Sequence, residues 1–300
     1  MRVRVPATSA NLGPGFDCLG LAVGLYLEVK ASLSPTDHFH YRGEGWIPDT
    51  PDNLIHRGFR QAFAAFGRQA PTITFEVENP IPLARGLGSS SAALVAGAAV
   101  ADMLLEEMLG PDGVFQLTAE MEGHPDNVGP AVYGGFTVSA KESTGTYLSQ
   151  SFSLPQHWVL LFGIPDFELP TEKARSVLPK SYCREDVIFN TSRTALWGLA
   201  VVLDRPELLR VASQDALHEP YRAKLVPGLQ GCQAELLQRG AYATFLSGAG
   251  PTLGVICSSG SKAGCIERLR QYAGSSGQVI ELEPGSGYRT EVLTSPPAKP

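Results

Sequence analysis

The sequence predicts an α+β protein in two lobes, and three observations carry that prediction. Apolar residues recur with both strand and helix periods along the 300-residue chain, in an order that is not a regular βαβ array. Glycine-rich turns punctuate these segments. The second half follows the order strand, helix, strand, strand, helix, strand, which suits a ferredoxin-like layer.

The elements follow in chain order. Val3 and Val5 alternate with Arg2 and Arg4, and Leu19 to Leu33 is a Leu/Val-rich run broken by single glycines, so both are strands. His38 and His40 fit alternating strand positions and are not expected to bind metal. In PDNLIHRGFRQAFAAFG, Asp52 or Asn53 caps a helix that presents Leu54, Phe59, Phe63 and Phe66 on one side and stops at Gly67. Thr72 to Val77 alternates as a strand. A helix is expected from about Ser90 to Leu109, a shorter one ending near Glu122, then a turn-rich passage, GHPDNVGPAVYGG. SFSL and WVLLFGI are expected to form a strand pair, with the lobe boundary at Ser149 to Leu154 and lobes spanning 1–150 and 151–300. Helices are expected around Thr171 to Val177, Asp186 to Leu203, Glu207 to Ser213 and Gly228 to Arg239. Strand, glycine turn and strand then fit AYATFLSGAGPTLGVIC, SKAGCIERLRQY makes a helix, QVIELE a final strand, and the tail LTSPPAKP is loose.

Composition narrows the function. Apolar residues make up 43% and charged residues 18%, enough for a sizeable core. A net charge of -6 without a Lys/Arg cluster argues against a nucleic-acid partner. No stretch approaches the roughly 18 consecutive apolar residues of a membrane span, and MRVRVPATSA lacks the apolar core of a signal peptide, so a cytoplasmic location without a membrane partner is expected. The five cysteines are scattered without a C-x-x-C pair and are expected to be reduced and mostly packed.

PLARGLGSSSAA, Pro82 to Ala93, runs straight into a small and apolar helix. Consecutive backbone N–H groups in glycine-permitted geometry at a helix N-terminus form a concavity that suits phosphate, and serine hydroxyls there can bond phosphate oxygens or a magnesium ion. A serine-capped helix is the plainer alternative. The loop is not a Walker A sequence or a G-x-G-x-x-G fingerprint, and the chain lacks the H-R-D and D-F-G signatures and a G-x-S-x-G elbow.

The pattern P-x-x-x-G-L-G-S-S resembles the central motif of the GHMP kinases. VPATSANLGPGFDCLGLA, EGHPDNVGPAVYGG and LSGAGPTLGVI are each similar to the homoserine kinases within that superfamily. The resemblance implies a ribosomal-protein-S5-like ATP-binding lobe followed by a ferredoxin-like lobe, and a homodimer. It also implies ATP-dependent phosphorylation of the L-homoserine hydroxyl, with Mg2+. ATP would be held by Pro82, Leu83, Ala84, Arg85, Gly86, Leu87, Gly88, Ser89, Ser90, Ser91 and Ala92, by Thr171, and by Gly248 and Gly250 of the third glycine motif. Asn53 resembles an adenine-contacting residue, with a helix cap as its alternative. Ser90 and Glu120 match the metal positions, Glu120 being selected over Glu122 by its spacing to His124, while Ser91 leaves open which serine reaches the ion.

On the acceptor side, Asp17 is expected to hold the substrate ammonium and Arg175 and Arg222 its carboxylate by paired hydrogen bonds, with Asn11 and His124 completing the pocket. His124 has a structural alternative. Asn127, beside Asp126, stands where relatives place a base, so either a weak base or direct proton passage to the phosphate is open. Other readings are a different small-molecule kinase of the superfamily, whose substrate would leave Asp17 without a role, or a non-catalytic sensor on the same fold.

Overall fold

The computed structural model describes residues 1–50 and 52–293. The chain opens with β1 (Arg2–Ala10), β2 (Leu19–Leu33), β3 (His38–Gly43), α1 (Leu54–Ala64) and β4 (Ile73–Asn79). It continues through α2 (Ser89–Leu104), α3 (Gly110–Glu122), α4 (Val128–Tyr133), β5 (Phe136–Lys141) and β6 (Tyr147–Phe152). The second part holds β7 (Val159–Ile164), α5 (Thr171–Ser176), α6 (Arg184–Val202), α7 (Leu209–Ala212), α8 (Glu219–Arg222) and α9 (Leu229–Gln238). It ends with β8 (Ala241–Leu246), β9 (Leu253–Cys257), α10 (Lys262–Ala273), β10 (Gln278–Leu282) and β11 (Arg289–Glu291).

Two sheets result. The first runs β11-β1-β2-β4-β3, with β5 also pairing to β2 and β6 to β5. The 15-residue β2 serves this branching by dividing its length. Leu19 to Leu21 pair with β5, whereas Glu28 to Leu33 pair with β4. The second sheet has the antiparallel order β10-β7-β9-β8, the arrangement expected of a ferredoxin-like layer.

Several expectations are corrected. SFSL and WVLLFGI do not pair: β6 hydrogen-bonds to β5 in the first sheet, while β7 lies between β9 and β10 in the second. A division at 150/151 therefore falls inside β6, and β11 returns the chain to the first sheet beside β1. The helix expected to reach Leu109 ends at Leu104, because Glu106 and Glu107 take left-handed backbone conformations. Asp102 then reaches forward and its carboxylate accepts the amide N–H groups of Leu109 and Gly110, capping the start of α3. The turn-rich passage contains α4. Thr294 to Pro300 of the tail lie outside the described residues, and Leu293 is exposed. Cys232, Cys257 and Cys265 are buried free thiols, Cys18 is half-buried and Cys183 exposed.

The sheets meet in one core. Trp197 of α6 stacks on Phe136 of β5 at 5.9 Å and meets Phe245 of β8 edge-on at 6.1 Å, so one indole bridges both layers. Small residues let α1 and α2 lie close, since a Cβ on Gly97 would stand 1.9 Å from the carbonyl oxygen of Ile55.

Gly97→Ala should therefore lower stability by about 1–3 kcal/mol through overpacking. Gly198→Ala in α6, where an added Cβ meets nothing within 4 Å, should raise stability by about 0.4–1 kcal/mol. Urea unfolding of both variants checks the contrast, and equal effects would refute the close-approach account.

Candidate active site

A cavity of about 850 Å³ lies between the two sheets' loops, with the glycine-serine loop on one wall and a cluster of charged groups beside it. Gly88 is the N-cap of α2 at φ 68°, and its approach to β1 leaves no room for a side chain: a Cβ would lie 1.8 Å from Thr8 Oγ1. The first helical turn bond joins the Ala92 amide to the Gly88 carbonyl, so the amides of Ser89, Ser90 and Ser91 precede it and have no intrahelical acceptor. With the positive end of a 16-residue helix, they can receive an anion.

Pro82 to Ser90 line the cavity, as do Asn11, Asp17, Asn53, His124, Asn127, Thr171, Arg175, Arg222 and Gly248. Other expected positions do not. Ala92 is buried in the α2 core, and Ser91 is buried with its hydroxyl donating to Glu122 Oε1 at 2.7 Å. Gly250 packs behind the loop, its amide donating to the Ser247 carbonyl. Glu120, expected as a metal ligand, is exposed and turned away, and Glu122 lines the cavity instead. Residues i and i+2 on a helix point about 200° apart, so only one of these carboxylates can face the site.

The loop's remaining side chains have structural duties. Arg85 is 9% exposed and spends its guanidinium on Glu44 and Asp166, each at 2.8 Å, which ties the loop to chain segments on both sides. Asn53 is the α1 N-cap: Oδ1 accepts the Ile55 amide at 2.8 Å and Nδ2 donates to the Pro48 carbonyl.

At the charged end, Arg175 grips Asp17 with two nitrogens, at 2.6 and 3.1 Å. The paired hydrogen bonds expected for a substrate carboxylate are thus made here to the protein's own. Arg222 is buried. Its Nε donates to the Ala174 carbonyl, and its Nη1 to the Gly248 carbonyl and His218 Nδ1. Among the described residues Nη2 has no partner, so the expected two-nitrogen fork is reduced to one nitrogen. Burial, then the neighbouring charge of Arg175, pulls this guanidinium down to about 10, which leaves it protonated at neutral pH. The centroid of the Phe16 ring lies 5.3 Å from both guanidinium carbons.

Asn11 Nδ2 donates to the Gly248 carbonyl while its Oδ1 accepts the Asp17 amide, linking the first loop to the β8–β9 turn. Asn127 Oδ1 accepts the Thr8 hydroxyl at 2.8 Å. Asp126 is almost fully buried, and its Oδ1 takes the Asn127 amide and, at 2.6 Å, His124 Nδ1. Asp126 was noted in the sequence only as a neighbour, and Phe16 and His218 drew no role. The aromatic of GPGF and the histidine of HEPYR were the available signals.

The family models for the GHMP kinase N-terminal and C-terminal domains match residues 53–135 and 200–277. A homoserine kinase of Thermus thermophilus is 47% identical over 287 residues, covering 96% of this chain and 97% of the relative. The chain belongs to the GHMP kinases, in the homoserine kinase family. The crystal structure of homoserine kinase from Cytophaga hutchinsonii superposes with a TM-score of 0.85 at 25% identity, covering 96% of each chain. The Methanococcus jannaschii mevalonate kinase, at 11% identity and a TM-score of 0.69 over 95% of this chain and 98% of its own, shares the fold.

In this GHMP kinase the His124–Asp126 pair sets a testable titration. Burial pulls the imidazole down, but the Asp126 hydrogen bond and the charges of Asp126, Asp17 and Glu122 outweigh it, so His124 titrates above its ordinary 6.5. The pair's stabilisation is therefore complete below the unfolded value and is lost as pH rises through the folded one. NMR titration should show this raised midpoint, and Asp126→Asn should lower it; an unshifted His124 in the variant would contradict the pairing.

Proposed function

We infer that the chain transfers the terminal phosphoryl group of ATP to the side-chain hydroxyl of L-homoserine, giving O-phospho-L-homoserine for threonine synthesis. The observation that carries this is one cavity holding a helix-capping phosphate cradle beside Asp17, Arg175 and Arg222, an anion and two cations suited to a zwitterionic acceptor. Mevalonate-type acceptors have no ammonium for Asp17, and a non-catalytic sensor has no need of both the cradle and Glu122.

In this reading the amides of Ser89, Ser90 and Ser91 and the positive end of α2 take the phosphates, and Gly86 and Gly248 let the loop and the β8–β9 turn pack closely beside them. The apolar side chains Ile47, Pro48 and Leu83 near Asn53 form the wall for the base. Glu122 with the Ser90 hydroxyl would hold magnesium, a donor set of hard oxygens that suits it; Glu122 Oε2 makes no hydrogen bond among the described residues. Magnesium, when bound, neutralises phosphate charge. Arg222 Nη2 receives the acceptor carboxylate and Asp17 the ammonium, Arg175 following whichever carboxylate is nearer. Asn11 shapes the acceptor loop, and His124 adds a positive edge beside the acceptor. Asn127 is a carboxamide without a proton affinity to act as base, so it positions the hydroxyl, and catalysis rests on alignment and charge. The family resemblance supports a cytoplasmic homodimer, and the exposed apolar residues Ile188, Leu199 and Val202 on α6, with Leu203 at its C-cap, suit a second copy. No described helix is long and apolar enough to cross a membrane.

Coupled ADP-release assays across homoserine, homoserine amide and mevalonate test the substrate. Losing the carboxylate charge removes charge-assisted bonds of roughly 1.5–3 kcal/mol, so the amide should fall by about tenfold or more in kcat/KM. Arg175→Lys should narrow that preference with little change in ATP affinity. Equal turnover of mevalonate would overturn the reading.

The metal assignment is tested separately. Glu122→Gln should lower kcat by about tenfold or more and raise the magnesium concentration needed for half-maximal activity, while Glu120→Gln should leave both near wild type. The opposite ranking would show that the orientation of α3 at the site is wrong.

A further inference from the structure

His218, four residues before Arg222, is buried completely and has no part in the chemistry above. Its Nε2 lies 2.7 Å from the Gly13 carbonyl oxygen, and its Nδ1 3.1 Å from Arg222 Nη1. A carbonyl only accepts and a guanidinium only donates. The ring must therefore carry one proton, on Nε2, and turn a lone pair at Nδ1 toward the arginine. A second proton at Nδ1 would point at the Arg222 N–H and break that contact.

The surroundings act in the same direction. Burial, with the charge of Arg222, holds the imidazole below its ordinary 6.5 against the pull of Asp215 and Asp17. Asp215 Oδ2 stands 3.6 Å from Nε2, but its carboxylate is already engaged. Oδ1 accepts from Asn190 Nδ2 and the Leu217 amide, and Oδ2 from the His218 and Glu219 amides. The Phe16 ring, stacked on His218 at 5.3 Å, fixes the plane of the imidazole. The result is a bridge from the loop carrying Asn11 and Asp17, through a neutral ring, to Arg222.

We propose that His218 is a positioning residue for recognition of the acceptor's carboxylate: as the Nε2–H tautomer it tethers Arg222 Nη1 to the Gly13 carbonyl and directs the unpartnered Nη2 into the cavity. This rests on Arg222 being the carboxylate partner. The tether fixes two of the three directions of the guanidinium plane, with the Gly248 carbonyl on the same nitrogen and the Ala174 carbonyl at Nε. Nη2 is then aimed before the substrate arrives, and binding does not have to order a long side chain. The same bridge makes the acceptor grip depend on the shape of the Gly13 loop, since moving that carbonyl moves the ring and the arginine together.

Three variants and one spectrum test this. His218→Leu removes both contacts and should raise KM for homoserine roughly tenfold, with kcat and KM for ATP within about twofold of wild type, the scale of one lost hydrogen bond to a charged group. His218→Asn, whose amide oxygen stands near the place of Nδ1, should recover most of that loss, although it packs no better. An unchanged homoserine KM in His218→Leu, or an Asn variant no better than Leu, would overturn the tether. Arg222→Met distinguishes the two levels of the argument. If it raises KM for homoserine while His218→Leu does not, the tether alone is wrong; if it leaves KM unchanged, the assignment of Arg222 fails and the tether with it. Should the Leu variant not fold, nitrogen NMR of wild-type protein decides: a proton on Nε2 alone through the neutral range is expected, and an Nδ1–H tautomer or an imidazolium would overturn the proposal.

Discussion

The site depends on the contact of the β8–β9 turn with the glycine-serine loop. Gly86, at φ 82°, lies so close to this turn that a Cβ would stand 2.1 Å from the Ser247 carbonyl oxygen. The Ser247 hydroxyl donates to the Gly86 carbonyl at 2.6 Å, which uses its single proton, so the Ser9 hydroxyl 2.7 Å away must donate to Ser247. The Gly248 amide bonds the Ala10 carbonyl, and the Thr8 amide bonds the Leu87 carbonyl. Three segments distant in sequence thereby fix one another through a buried hydroxyl chain with all its donors satisfied, a condition under which such networks rigidify. Asn11, the cradle amides and Gly248 each hang from one of these segments. The Leu169 amide on the Ala84 carbonyl brings α5, and with it Arg175, to the same loop.

The two arginines beside the acceptor end differ in physical state, which argues for different tasks. The Asp17–Arg175 pair is about one-third exposed on each side, and such pairs contribute only about 0–1 kcal/mol, so a substrate's charges can rearrange it at little cost. Arg222 is 2% exposed and bound to backbone carbonyls and a neutral imidazole, with no carboxylate on it among the described residues. A buried cation without a paired anion is costly, and an incoming carboxylate relieves that cost. The fixed arginine therefore supplies the driving force for capturing an anion, and the exposed one supplies adaptability. Phe16 contacts both guanidinium groups with its ring centroid 5.3 Å from each, and the charge of Arg175 is still felt at Arg222.

Much of this was legible in the sequence because glycine and serine spacing reports backbone demands directly. The cradle, the SGAGPT turn, the long β2 and the order of the second sheet all follow from local pattern. What escaped was set by tertiary contacts. The passage GHPDNVGPAVYGG is dense in turn residues, yet Val128–Tyr133 forms a helix because its apolar side packs against the first sheet and α2. Glu120 and Glu122 are equally polar residues at a helix end. Which one faces inward depends on the rotation of α3, which is fixed by Val114, Phe115, Leu117 and Ala119 entering the core. The spacing to His124 carried no information on that rotation. Asp17 and Arg175 were assigned to opposite ends of a substrate, and sequence had no means of showing that they reach each other.

The acceptor loop shows how far the second lobe determines the first. Asn11, Leu12 and Asp17 all have left-handed backbone, at φ 69°, 49° and 56°, in a stretch where only glycines adopt it freely. Asn and Asp tolerate this conformation through local side-chain hydrogen bonds, whereas at Leu12 it costs roughly 1–2 kcal/mol, so the loop keeps this shape only if the surroundings over-determine it. Those surroundings come largely from later in the chain. Asn190 and Thr194 of α6 donate to the Pro14 carbonyl, His218 to the Gly13 carbonyl, and Asn11 itself donates to the Gly248 carbonyl. The left-handed turn at Asp17 places its carboxylate against Arg175 from α5. An N-terminal lobe folded alone would lack every one of these constraints and would keep only the loop's own bonds, such as the Asp17 amide to Asn11 Oδ1 and the Gly15 amide to the Asn11 carbonyl. The acceptor pocket is consequently a property of the assembled pair of sheets, and the phosphate cradle shares that dependence, since the Arg85 and Gly86 carbonyls accept from the Thr252 amide and the Ser247 hydroxyl of the second sheet's turn.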